Sequence, residues 1–131
     1  MTDGSARRVE RRAPDWRDVS LWALLAVALL LQGVVLYAPQ APGESPFPSA
    51  DKVVHLVVFA APAALAVLGG IGPRLVVGVL AAHAVLSEVV QATVLPDRSG
   101  DPLDVVADLV GIGLGVAAVT LWRRFRGDPS G

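Results

Sequence analysis

Three short groups of ionisable and amide side chains interrupt an otherwise apolar chain, and within each group the spacing is helical. Asp51, Lys52 and His55 come first, Glu88 and Gln91 second, and Arg98, Asp101, Asp104 and Asp108 third. Residues four apart share a helix face, so Asp51 stands one turn from His55 and offers its imidazole a carboxylate partner. A histidine so placed is a candidate general acid/base, and Glu88 is a candidate second acid/base or metal ligand. Carboxylates outnumber bases in the set, which makes a divalent cation such as Mg²⁺ or Mn²⁺ a fitting cofactor. Arg98 carries the planar fork that suits a carboxylate or another anion. The chain has no cysteine, which removes thiolate nucleophiles, cysteine metal sites and disulfides. It also has no H-E-x-x-H metal pattern and no serine nucleophile motif.

Something must hold these groups, and the rest of the chain is built for lipid. Its 131 residues are 53% hydrophobic, and the mean hydropathy is +0.58, more apolar than a soluble domain of this size. The net charge of -1 gives no basic surface for nucleic acid. Residues 1–18 form a polar tail with Arg7, Arg8, Arg11, Arg12 and Arg17. The uncharged run that follows, Ser20–Tyr37, is too long for a signal-peptide core of roughly 7–15 residues. It spans about 27 Å as a helix, close to the hydrocarbon thickness. A proline-rich loop, residues 38–50, separates it from a second span, Val53–Ile71, in which Pro62 is expected to place a kink. A short turn at Arg74 leads to Leu75–Leu95, and a turn over residues 96–100 leads to Pro102–Trp122. The expectation is one membrane domain, residues 19–122, folded as an antiparallel bundle of four transmembrane helices. Residues 123–131 form a second polar tail.

Basic residues set orientation. With both termini cytoplasmic, nine arginines fall inside and only Lys52 and Arg98 outside. The polar groups then lie in the outer half of the bilayer at similar depth. At about 100° per residue, Asp101, Asp104, Asp108, Gly111 and Gly115 share an arc of about 80°. Ser87, Glu88 and Gln91 share an arc of about 100° on the third helix. Polar stripes in a membrane turn toward each other and away from lipid. The expected product is one outward-facing site of Asp51, His55, Glu88, Gln91, Arg98, Asp101 and Asp104, with Glu88 protonated or paired with a cation, most simply Arg98.

Plainer roles compete for several of these residues. Asp101 precedes Pro102 as an N-cap precedes a first-turn proline. Asp51 has the same capping option, and Asp104 lies where the helix dipole favours a carboxylate. Neither reason covers Asp108, one turn deeper, or Glu88, near the negative end of its own helix. His83 falls off the Glu88 face and reads as structural. Gly111-x-x-x-Gly115 reads as a close helix contact.

The motifs D-K-V-V-H at Asp51–His55, E-V-V-Q at Glu88–Gln91 and R-S-G-D-P-L-D-V-V-A-D-L-V-G at Arg98–Gly111 resemble, in order and spacing, those of the VanZ-like family of small bacterial membrane proteins. The likeness covers nearly everything after Ala50. The family usually has asparagine at the position of Asp108, and an amide there can donate a hydrogen bond that an ionised aspartate cannot. The family is named for a protein associated with teicoplanin resistance. The resemblance therefore implies an envelope-related role in a bacterial plasma membrane. Three functions follow as expectations. The first is an outward pocket that binds a lipid headgroup, an envelope precursor or a glycopeptide, with Lys52, Arg98 and Gln91 engaging the ligand. The second is an intramembrane hydrolase or transferase acting on a lipid-linked substrate through His55 and Glu88. The third is an ion-coupled carrier relaying protons through Glu88 and Asp108. Oligomeric state is left open.

Overall fold

A computed structural model describes residues 16–38, 49–95 and 100–127. They form four helices, α1 (Trp16–Tyr37), α2 (Ala50–Leu68), α3 (Pro73–Thr93) and α4 (Pro102–Arg126), with no strand among the described residues. Each is long and apolar enough to cross a membrane, so the chain is an all-α polytopic bundle. Arg98 and the remainder of the turn over residues 96–99 lie outside the described residues, as do most of the two tails.

The helix limits differ from the hydropathy limits for local reasons. Helix α2 begins at Ala50, behind a Ser49 N-cap, so Asp51 and Lys52 lie inside its first turn. Asp51 is thus no cap: its carboxylate goes to Lys52 instead. Helix α2 runs on through Pro62, which is fully buried. Its end is closed by amides of Gly69, Gly70 and Ile71 that donate to Leu65, Val67 and Ala66 carbonyls. Gly70 has φ +89°, a conformation that favours glycine. Helix α4 continues past Trp122 to Arg126, because arginines in a last turn suit the negative end of the dipole.

Consecutive helices run antiparallel, but the main interface joins α2 to α4, which run parallel. Lys52 meets Asp101 and Asp104 at one end, and Arg123 meets Val67 and Leu68 at the other. Helix α1 packs mainly on α2, and α3 mainly on α4. The cause lies in Gly111 and Gly115. A Cβ on Gly111 would overlap the Leu56 carbonyl oxygen and stand 3.0 Å from its carbon. One on Gly115 would overlap the Ala60 carbonyl oxygen and stand 3.0 Å from Ala63 Cβ. Lipid provides no hydrophobic drive between helices, so backbone-to-backbone packing of this kind carries the association.

The buried core is small and mixed. Phe59, Ala63, Ala66 and Val67 of α2 meet Ile112 and Val119 of α4, Val76, Leu80 and Ala84 of α3, and Leu25 and Leu36 of α1. Outward-facing Leu and Val side chains, among them Leu30, Val57, Val79, Leu86 and Leu114, are exposed and fit a lipid surroundings. Leu25, Leu29, Pro62, Ala66, Leu75 and Val79 line an apolar groove of about 200 Å³.

Candidate polar site

Asp101 anchors the site. It has extended backbone, φ -114° and ψ 115°, and Pro102 follows it at the first helical position. Its Oδ1 accepts from the Leu103 amide at 2.9 Å, so it is the N-cap of α4. Its Oδ2 accepts from Lys52 Nζ at 2.8 Å. The Lys52 ammonium, and next the Leu103 amide, hold the Asp101 carboxyl below the usual carboxylate range. The Asp101 amide donates to Glu88 Oε2 at 2.9 Å. That bond needs Gly100: a Cβ there would stand 2.8 Å from Ala92 Cβ and 3.1 Å from the Glu88 carbonyl oxygen. Only a bare backbone lets Gly100 lie this close to α3.

Lys52 joins the first turns of the two parallel helices. Its ammonium donates to Asp51 Oδ2 at 3.2 Å, Asp101 Oδ2 at 2.8 Å and Asp104 Oδ1 at 3.2 Å. Three acceptors use all three of its protons. Lys52, expected to engage an anionic or polar ligand, is met here by three carboxylates of the protein itself.

One turn deeper, His55 Nδ1 lies 2.9 Å from Asp108 Oδ1. The partner of the imidazole is thus Asp108 from α4, and Asp51, four residues away on the same helix, is turned to Lys52. Helical spacing permits the Asp51–His55 pair, but the closeness of α4 at Gly111 supplies a nearer and fully buried carboxylate. His55 Nε2 faces Asp104 Oδ2 at 3.9 Å, too long for a hydrogen bond.

Glu88 is buried rather than lipid-facing, with 7% of its surface exposed. One ligand atom each from His55, Glu88 and Asp104 lie within 4.8 Å of one another. The Glu88 carboxylate is met by the Asp101 amide, and Arg98, its expected partner, lies outside the described residues. Gln91 is buried on the same face, as is Ser87, whose hydroxyl donates to the Ala84 carbonyl. Of the expected site, Asp51, Lys52, His55, Glu88, Asp101, Asp104 and Asp108 are linked by direct bonds or common proximity. Gln91 lies one turn from Glu88 toward the same end.

Several buried polar atoms here have no hydrogen-bond partner among the described residues: Glu88 Oε1, Asp108 Oδ2 and Gln91 Nε2, and both amide atoms of Gln32. In low dielectric such groups are costly unless something meets them. Gln32 was not among the residues picked from the sequence. It lies about 8 Å along the axis from the end of α1, as His55 and Glu88 do from the ends of α2 and α3. Its signal was available: it is the lone amide in an uncharged span, and polar groups in spans are seldom idle. Arg123 was also missed. Its Nη2 donates to the Val67 and Leu68 carbonyls at 2.8 and 3.2 Å, closing the far end of α2.

His83 stands apart from this cluster. Its Nε2 is 3.2 Å from Tyr37 Oη, and its ring lies 5.7 Å from that of Phe59. It links α1 to α3 beneath the site.

Chemically, the arrangement is a carboxylate-rich cluster with one lysine bonded to three carboxylates and one oriented imidazole. Among the described residues, five carboxylates, Asp51, Glu88, Asp101, Asp104 and Asp108, gather around Lys52 and His55. Such a balance attracts cations and hydrogen-bond donors and repels anions. No family model matches the chain, and no curated protein or solved structure does.

Proposed function

We propose that this is a VanZ-like protein of a bacterial plasma membrane, with both termini cytoplasmic. Its acidic cluster opens outward and binds an ammonium-bearing or hydroxyl-rich envelope component, such as an aminolipid headgroup, a lipid-linked precursor or a glycopeptide. The observation that carries this reading is the set of buried atoms Glu88 Oε1, Asp108 Oδ2 and Gln91 Nε2, which have no hydrogen-bond partner among the described residues. A bound headgroup would satisfy them, and the charge balance favours a cationic over an anionic head. The orientation draws support from the arginines, nine of ten of which lie in sequence before the first span, in the turn after the second or beyond the fourth.

The test is binding to purified protein in detergent. Phosphatidylethanolamine, phosphatidylglycerol and teicoplanin are titrated against wild type and Glu88→Gln. An amine-bearing ligand should bind more tightly than phosphatidylglycerol, and Glu88→Gln should weaken it. Equal binding of all three, unaffected by the substitution, would remove the proposal. Orientation is tested by cysteines at Ser45 and Ser130: an impermeant reagent should label only the first in intact cells.

A second reading has its own observation, the His55–Asp108 pair at 2.9 Å. Asp108 fixes the imidazole so that Nε2 is free to take a proton from a water or hydroxyl nucleophile. An intramembrane hydrolase or transferase working this way should lose turnover of a lipid-linked substrate on His55→Ala while its helical content is unchanged.

A further inference from the structure

We infer that His55, Glu88 and Asp104 form a binding site for a first-row divalent metal ion, with Asp108 as the outer partner that aims the imidazole. The three ligands come from α2, α3 and α4, and their donor atoms already lie within 4.8 Å of one another. A metal with bonds of roughly 2.0–2.2 Å holds ligand atoms about 3–4 Å apart. The gap of 3.9 Å between His55 Nε2 and Asp104 Oδ2 falls in that range. It is too long for a hydrogen bond and sets a ring nitrogen against a carboxylate oxygen, a pairing made favourable by a proton on Nε2 or by a cation held between the two.

The free atoms support the same assignment. Each ligand residue has one atom held and one left over. His55 Nδ1 is held by Asp108, leaving Nε2. Asp104 Oδ1 is held by Lys52, leaving Oδ2. Glu88 Oε2 is held by the Asp101 amide, leaving Oε1 buried and without a partner among the described residues. Metal ligands are commonly oriented by such outer partners, with carboxylate–histidine–metal the best-known case. The neighbouring cluster of Asp51, Asp101 and Asp104 is a poorer candidate, because the Lys52 ammonium already bonds all three carboxylates.

One imidazole and two carboxylates suit Zn²⁺ or Mn²⁺. Three protein ligands leave further coordination positions for water or a ligand oxygen. The inference deepens the pocket reading and rests on it, since an ion within the cluster is reached through the same opening. Its test uses no lipid and no glycopeptide, so its failure is distinguishable from failure of the pocket reading.

The full-length protein is purified in detergent, stripped with EDTA and passed through gel filtration after exposure to Zn²⁺ or to Mn²⁺. Bound metal is then counted by elemental mass spectrometry, and affinity is measured by calorimetry. About one ion per chain is expected, with a raised Tm. His55→Ala and Glu88→Gln should each abolish stoichiometric binding, and their helical circular dichroism identifies any variant that fails to fold. Asp108→Ala should weaken binding about 10–100-fold, the range for losing an outer partner. Asp108→Asn, which still accepts from Nδ1–H, should restore part of it. Failure of wild type to hold either ion, or equal binding by wild type and His55→Ala, overturns the inference. So does ¹⁵N NMR showing His55 Nε2 protonated at neutral pH in the metal-treated sample, because an imidazolium then fills the gap.

Discussion

Near the polar end, α2 and α4 are joined by side chains: Lys52 to Asp101 and Asp104, His55 to Asp108. From Leu56 and Gly111 onward the same two helices touch through backbone, small residues and apolar side chains until Arg123 reaches the Val67 and Leu68 carbonyls. The difference teaches how a small membrane bundle can hold charge. The glycine contact brings the helices close and supplies association in lipid, where small residues pack best. That closeness lets a lysine and a histidine reach aspartates on the facing helix. Buried ionic groups contribute little net stability once desolvation is counted. The glycine half is therefore expected to carry the fold, while the polar half is free to serve a ligand.

Substitutions at the glycines should break the comparison most severely. Gly111→Leu and Gly115→Leu must push α4 away from α2 backbone that cannot rotate aside. Thermal or denaturant unfolding in detergent should register about 1–3 kcal/mol of destabilisation, with Gly111 at the upper end or beyond. A neutral Gly115→Leu would mean that its face looks at lipid. Asp108→Ala should follow, at about 1–3 kcal/mol, because it leaves His55 Nδ1 buried without an acceptor. A double-mutant cycle with His55→Ala should recover much of that loss, whereas strict additivity would show that the two do not communicate. Arg123→Ala should cost roughly 1 kcal/mol by exposing two carbonyls at the end of α2. Glycine and arginine effects should add, since the sites are distant.

The smallest expected effect is that of Asp101 with pH. Its carboxyl is held below its ordinary value in the folded chain. Its contribution is therefore fully present above the unfolded-state value and is lost as pH falls toward the lower folded one. Tm should drop modestly on acidification through the carboxylate range, and Asp101→Asn should flatten part of that drop. An unchanged slope would leave the Lys52–Asp101 pair without a measurable role.

The spans were legible because hydropathy alone decides them, and the polar stripes because 100° steps put Asp104, Asp108, Gly111 and Gly115 on one face. The pairing within the site was not. A single helix shows Asp51 one turn from His55, but which carboxylate wins depends on how near α4 comes, and that is fixed by atoms the glycines lack. The adjacency of α2 and α4 was likewise hidden, since short connections point to sequence neighbours. Gln32 was legible as an odd residue and unreadable as a partner, because depth says nothing about direction. The bond from the Asp101 amide to Glu88 depends on backbone placement at Gly100, which side-chain patterns do not report.

The parallel pairing of α2 with α4 also bears on how the chain is made. Lys52 and His55 are separated from Asp101 and Asp108 by 49 and 53 residues. At about 5–20 residues per second, roughly 3–10 s of translation pass between them. For a comparable interval α2 is outside the ribosome with a lysine and a histidine whose partners have yet to emerge from it. Helix α3 cannot stand in, since its own Glu88 awaits the Asp101 amide. We expect the second helix to be anchored stably only once the fourth is complete. A ribosome-stalled chain ending before Asp101 should leave α2 extractable by alkali, and extending the chain through Arg126 should anchor it.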